Sequence, residues 1–125
     1  MGRRKRFTRL SEAKQLAKQL LLHRVWNGLS QSNIADVLGV TFQQYQKIER
    51  CQNRVYAEQL LCICKNFKWD PAIVMLADPV ATLNEWEENK PRNGKAGINS
   101  SLKKIYKKFY AIDNSAWKYY YNERK

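Results

Sequence analysis

The residues whose types and spacing hold the most chemistry lie between Ser30 and Arg54, in SQSNIADVLGVTFQQYQKIERCQNR. With Phe42 at zero on a helical wheel of about 100° per residue, Gln46 falls at about 40°, Arg50 at about 80°, Gln43 at about 100° and Lys47 at about 140°. Ile48, at about 240°, and Tyr45, at about 300°, face the other way. One side of such a helix carries amides and cations, and the other is apolar. A glutamine amide can bind adenine N6 and N7 together, and Lys or Arg can bind guanine O6 and N7. The face therefore suits the major groove of double-stranded DNA. It equally suits plain solvent, because Gln and Lys are common on helix surfaces.

No second constellation offers catalysis. Cys51, Cys62, Cys64 and the single His23 are the soft ligands. On a helix Cys62 and Cys64 point about 200° apart, and His23 is distant in sequence, so the four ligands of a zinc site are not expected. An odd number of cysteines points to reduced thiols in a reducing compartment, serving as small buried or half-buried hydrophobes. His23 reads as a helix-surface or core-edge residue. There is no Gly-rich phosphate loop, no Gly-x-Ser-x-Gly and no His–carboxylate cluster. The expectation is a protein that is not an enzyme and needs no cofactor or metal.

The elements that must position the polar face follow from caps and periodicity. Ser11 is placed to cap a helix to about Asn27, with Ala13, Leu16, Ala17, Leu20, Leu21 and Val25 on one face and Gly28 as its stop. Ser30 caps a short second helix with Ile34, Ala35 and Leu38 inward. Gly39 ends it, Val40 fills the gap beneath the turn, and Thr41 caps a third helix from Phe42 to about Arg50. A helix near Tyr56–Phe67 has Ala57, Leu60, Leu61, Cys64 and Phe67 inward. Asp70-Pro71 and Asp78-Pro79 each pair an N-cap with a first-turn proline, opening helices to about Ala77 and Asn89. The second of these has Val80, Leu83 and Trp86 on one side. KPRNGKAGIN, residues 90–99, has a linker composition. No strand-like alternation is present, so the fold class is all-α. Two short helices meeting at a turn containing Gly39 form a helix-turn-helix arrangement.

This segment resembles the phage-repressor-like helix-turn-helix family, the Cro/repressor or XRE group. The residues that carry the resemblance are Gln31, Ile34-Ala35, Leu38-Gly39-Val40-Thr41, Tyr45 in the usual aliphatic slot, Ile48-Glu49 and Asn53-Arg54, continuing through LLCICKNFKWDPAIVML. It covers residues 11–77. The resemblance implies a five-helix lambda-repressor-like DNA-binding domain whose third helix enters the major groove, usually as a homodimer on a two-fold operator. It places Phe42, Gln43, Gln46 and Lys47 where bases are read. It places Ser30, Gln31, Gln44 and Arg54 where phosphate is gripped, with Arg50 beside them on the polar face. Glu49 looks structural. Two positions depart from the pattern: Cys51 stands where the family has Gly, and Val55 where it has Pro. The loop after the third helix is therefore expected to turn at Gln52-Asn53 instead, since Asn tolerates the left-handed region. Phe42 either meets a thymine methyl or packs on the domain.

The 125 residues carry a net charge of +12, and the excess sits at the two ends. Residues 1–27 hold eight Lys/Arg against one Glu, residues 28–97 hold eight of each sign, and residues 98–125 hold seven against two. Such a balance calls for an anionic partner, nucleic acid first. The arm Arg3-Arg4-Lys5-Arg6 suits the minor groove, or a solubilising tail. No apolar run is long enough to span a bilayer, and no secretory or myristoylation signal is expected at the N-terminus. In the last segment Leu102, Ile105, Phe109, Ile112, Ala116 and Tyr119 form a heptad-like seam with lysines off it. That helix has three readings: a dimerisation helix, with Leu102, Ile105, Phe109 and Ile112 as its seam; a core helix folded back on its own domain; or a basic amphipathic surface helix. Asp113-Asn114-Ser115 are placed to interrupt it.

The organisation expected is a basic arm (1–10), a helix-turn-helix domain (11–78), an acidic helix and linker (79–99) and a basic aromatic helix (100–125). The function expected is a sequence-specific transcriptional regulator of the repressor kind, cytoplasmic in a bacterium or phage-infected cell. Two rivals stand beside it: an antitoxin-type regulator that binds a partner protein through its C-terminal region, and a non-specific nucleic-acid-binding protein.

Overall fold

The computed structural model describes residues 10–90 and 103–114. All its regular structure there is helical: α1 Leu10–Trp26, α2 Gln31–Leu38, α3 Phe42–Glu49, α4 Ala57–Phe67, α5 Pro71–Leu76 and α6 Pro79–Asn89, followed by α7 over residues 103–114. The all-α expectation holds. The Arg3–Arg6 arm and Leu102 lie outside the described residues.

Local chemistry explains the boundaries. Ser30 and Asn33 form a reciprocal capping box at the start of α2, at 3.0 and 2.8 Å, and Thr41 and Gln44 form another at the start of α3, at 3.0 and 2.8 Å. Asp70 accepts from the Ala72 N–H and Asp78 from the Ala81 N–H, each ahead of a proline. Ser11 is not a cap: α1 begins at Leu10, and the Ser11 hydroxyl bonds Glu12.

Three helices close with the same pair of backbone bonds. After α1, Gly28 N–H reaches Val25 O and Leu29 N–H reaches Arg24 O. After α2, Gly39 N–H reaches Asp36 O and Val40 N–H reaches Ala35 O. After α3, Cys51 N–H reaches Ile48 O and Gln52 N–H reaches Lys47 O. Each is a Schellman turn with one left-handed residue: Gly28 at φ 70°, Gly39 at φ 69° and Cys51 at φ 61°. The chain therefore turns at Cys51 and not at Gln52-Asn53. A side chain in that conformation costs about 1 kcal/mol. Cys51 is buried, so its packing offsets the strain.

α1 is the central helix. On one side Leu20 joins Ile34, Ala35, Tyr45, Ile48, Leu60, Ile63, Cys64, Trp69 and Val74 in a core built from α2 to α5. On the other side Ala17, Leu21 and Leu22 join Cys51, Leu83, Ile105, Phe109 and Ile112. Every residue from Gln19 to Arg24 is buried, so the single apolar face expected for α1 is in fact two. His23 lies inside, not at the surface or core edge: its ring packs between Trp69 and Trp86, with centroids at 4.9 and 4.8 Å. In α4 the inward residues are Leu60, Ile63 and Cys64, with Phe67 packed half-buried against the same core, while Ala57 and Leu61 face solvent.

The C-terminal seam is filled from within the chain. Ile105, Phe109 and Ile112 are buried against α1 and α6, Lys18 Nζ holds Asp113 at 2.7 Å, and the Tyr106 hydroxyl donates to Asn84 of α6 at 3.0 Å. This corrects the dimer-seam expectation: burying those side chains in the chain's own core leaves them no surface for a second copy. Asp113 and Asn114 are helical, and the Asn114 amide donates back to Tyr110 O; Ser115, the last residue of the expected interruption, lies outside the described residues, as do Ala116 and Tyr119 of the seam.

Candidate nucleic-acid interface

α3 is held by its apolar side. Tyr45 is fully buried and Ile48 nearly so, which turns Phe42, Gln43, Gln44, Lys47 and Arg50 outward, with Gln46 half-buried beside them. Phe42 keeps 42% of its surface exposed at the start of the helix. Among the described residues neither Lys47 nor Arg50 has an ion-pair partner. The outward face thus offers amide donors and acceptors with two uncompensated cations, the chemistry that base edges and phosphates match.

Behind it lies a buried charged hub. Arg24 on α1 donates to both carboxylate oxygens of Glu49 at the end of α3, Nε at 2.7 Å and the second nitrogen at 2.8 Å, and to Leu29 O at 2.9 Å. Gln31 at the start of α2 donates to Glu49 at 3.0 Å. Burial works against the Arg24 charge, but pairing with Glu49 more than offsets this and holds the guanidinium above its usual value. The hub ties α1, α2 and the end of α3 together and matches the structural reading of Glu49. Burial, then the Glu49 charge, pushes the Tyr45 hydroxyl well above its usual value, although it makes no hydrogen bond of ordinary geometry among the described residues.

The residues expected at phosphates fall on both flanks of α3. Gln44 and Arg54 line one hollow of about 410 Å³ with Val40, Ile48 and Tyr56. Gln31 and Arg50 line another, of about 450 Å³, with Gln46 and Gln52. Ser30 sits at the exposed start of α2, its hydroxyl oxygen engaged by the helix cap. The Gln44 oxygen is likewise engaged by the cap of α3. Lys108 of α7 also lines the Gln31–Arg50 hollow. The periodicity places Lys108 off the heptad seam and does not say that α7 returns beside α3.

Among the described residues no group of His, Cys, Asp or Glu is placed to hold a metal, and no helix is long and apolar enough to cross a membrane. No disulfide joins the three cysteines among the described residues; Cys51 and Cys64 are buried and Cys62 is half-buried. Burial, then the Asp70 charge, pushes the Cys64 thiol above its usual value.

The α2–turn–α3 unit, with a buried inner face and a polar outer face, has the layout of a helix-turn-helix. Two curated proteins of Sinorhizobium fredii are similar to this chain. One is the uncharacterized HTH-type transcriptional regulator y4wC, 39% identical over 57 residues, which are 46% of this chain and 40% of that protein. The other is the uncharacterized HTH-type transcriptional regulator y4aM, 40% identical over 45 residues, 36% of this chain and 32% of that protein. The chain thus spans less than half the length of either relative. No family model and no solved structure matches it.

Proposed function

We propose that this chain is a sequence-specific double-stranded-DNA-binding transcriptional regulator. The observation that carries the reading is the outward face of α3. It bears Gln43, Gln46, Lys47 and Arg50 on a helix pinned by Tyr45, Ile48 and the Glu49–Arg24 pair. The two similar proteins named as HTH-type transcriptional regulators support it, as does the resemblance to the phage-repressor-like group with its five-helix domain.

In this reading Phe42, Gln43, Gln46 and Lys47 meet base edges. Ser30, Gln31, Gln44, Arg50 and Arg54 set the register on phosphates from both flanks. The arm Arg3–Arg6 adds sequence-independent attraction. Two copies bind a two-fold operator as a repressor, by occupancy, in the bacterial cytoplasm. They meet through a surface other than Ile105, Phe109 and Ile112, which the chain itself covers. The test is selection of bound sequences from random duplex DNA with the full chain. Enrichment of a motif with two-fold symmetry is expected. Recovery of unselected sequence would favour non-specific packaging of nucleic acid, and a stable complex with a co-encoded protein would favour the antitoxin reading.

A further inference from the structure

α7 has three sides. Ile105, Phe109 and Ile112 face the core. On one flank Tyr106 bonds Asn84 of α6. Away from the core Lys108 and Ala111 line a hollow together with Gln46, Arg50 and Gln52 from α3 and the turn after it, and with Gln31 and Glu49. A C-terminal helix far from α3 in sequence therefore borders the base-reading face.

The charges around this hollow are arranged for an anion. Among the described residues Glu49 is its only acid, and that carboxylate is taken up by two Arg24 donors and by Gln31. Asp113, the acid of the described α7, is engaged by Lys14 and Lys18 on the α1 side. Arg50 and Lys108 are exposed and, among the described residues, have no ion-pair partner. Two cations from different parts of the chain thus line one hollow whose carboxylate is already neutralised, beside the amides of Gln31, Gln46 and Gln52.

We propose that this hollow is a clamp for one backbone phosphate of duplex DNA, with Lys108 and Arg50 as its two cations, so that α7 is part of the DNA-binding surface. The inference rests on the DNA-binding reading above. It assigns α7 a role toward DNA that the helix-turn-helix alone does not have.

The test is a salt titration of binding to a 20-base-pair duplex of random sequence, which needs no knowledge of the operator. Each phosphate neutralised contributes about 0.9 to the slope of log K against log salt. Lys108→Gln is expected to weaken binding and reduce the slope by about 0.9 per bound copy of the chain. Lys108→Arg should keep the wild-type slope. Lys103→Gln removes the same charge from the exposed side of α7, about 160° round from Ile105, and should change the slope by less than half as much. A Lys108→Gln slope equal to wild type, or a loss no larger than that of Lys103→Gln, overturns the clamp while leaving the DNA-binding reading intact. Failure of the wild-type chain to bind the duplex even at low salt overturns both.

Discussion

The two core regions on either side of α1 use similar side chains and differ in how far along the chain those side chains come from. The α2–α5 side is assembled from consecutive helices, Ile34 to Val74, closing on Leu20. The other side joins α1, the loop after α3, α6 and α7, from Ala17 to Ile112. The first positions the polar face of α3. The second supports that face from behind and at one end, through Cys51 and Ile112. The helices α2 to α5 do not close the molecule alone: the stretch Gln19–Arg24 of α1 is buried on every side because α6 and α7 cover the side that α2 to α5 leave.

The hub between the two regions should show the largest effect. Glu49→Ala leaves the Arg24 guanidinium buried without its carboxylate, and a loss of about 3–5 kcal/mol is expected in urea unfolding. Arg24→Met combined with Glu49→Leu should recover much of it. A loss under about 1 kcal/mol for Glu49→Ala would mean that the pair does not join the regions.

Phe109→Ala asks whether α7 belongs to the fold. We expect a loss of about 3 kcal/mol, with one unfolding transition and no change in the mass of the free protein by sedimentation. A halved mass with unchanged stability would restore the dimer-seam role.

A smaller effect separates the Schellman turns. Gly39→Ala should cost about 1–2 kcal/mol, from left-handed strain alone, because an added Cβ meets nothing within 4 Å. Cys51→Gly should stay within about 1 kcal/mol of wild type, since relief of the same strain offsets the lost packing. A Cys51→Gly variant clearly more stable than wild type would show that the Cys51 contact with the α7 side contributes nothing.

The smallest effect is a pH dependence. Burial lowers the His23 basicity, against the Gln19 carbonyl at 2.8 Å and the Asp70 charge, which raise it. The folded state therefore favours the neutral ring. Its contribution is present above the ordinary histidine value and is lost as pH falls through that value toward the lowered folded one. Melting temperature should fall more steeply between about pH 7 and pH 5 in wild type than in His23→Phe. Parallel curves would place the acid sensitivity elsewhere.

The sequence was most legible where structure is local. The caps at Ser30, Thr41, Asp70 and Asp78, and the inward Ile34, Ala35, Tyr45 and Ile48, lie within helices whose partners are next in line. Long-range packing was not. A heptad-like seam looks the same whether it meets a second copy or its own α1. Gln19, His23 and Arg24 are polar, yet all three are buried, because their partners Thr82, Trp86 and Glu49 lie 63, 63 and 25 residues away. The Cys51 departure from glycine has the same origin. Its side chain packs in the core that α7 completes, a neighbour no local pattern can announce. Of the polar face, the outward set on α3 was readable from periodicity, whereas Lys108 required the fold.

The central claim is that the outward face of α3 reads base pairs. Its most direct test is the affinity of Gln43→Ala for a selected site and for a scrambled duplex of the same length at one salt concentration. A loss of roughly 1–3 kcal/mol is expected on the selected site and almost none on the scrambled one. Equal losses on both, or none on either, would contradict it.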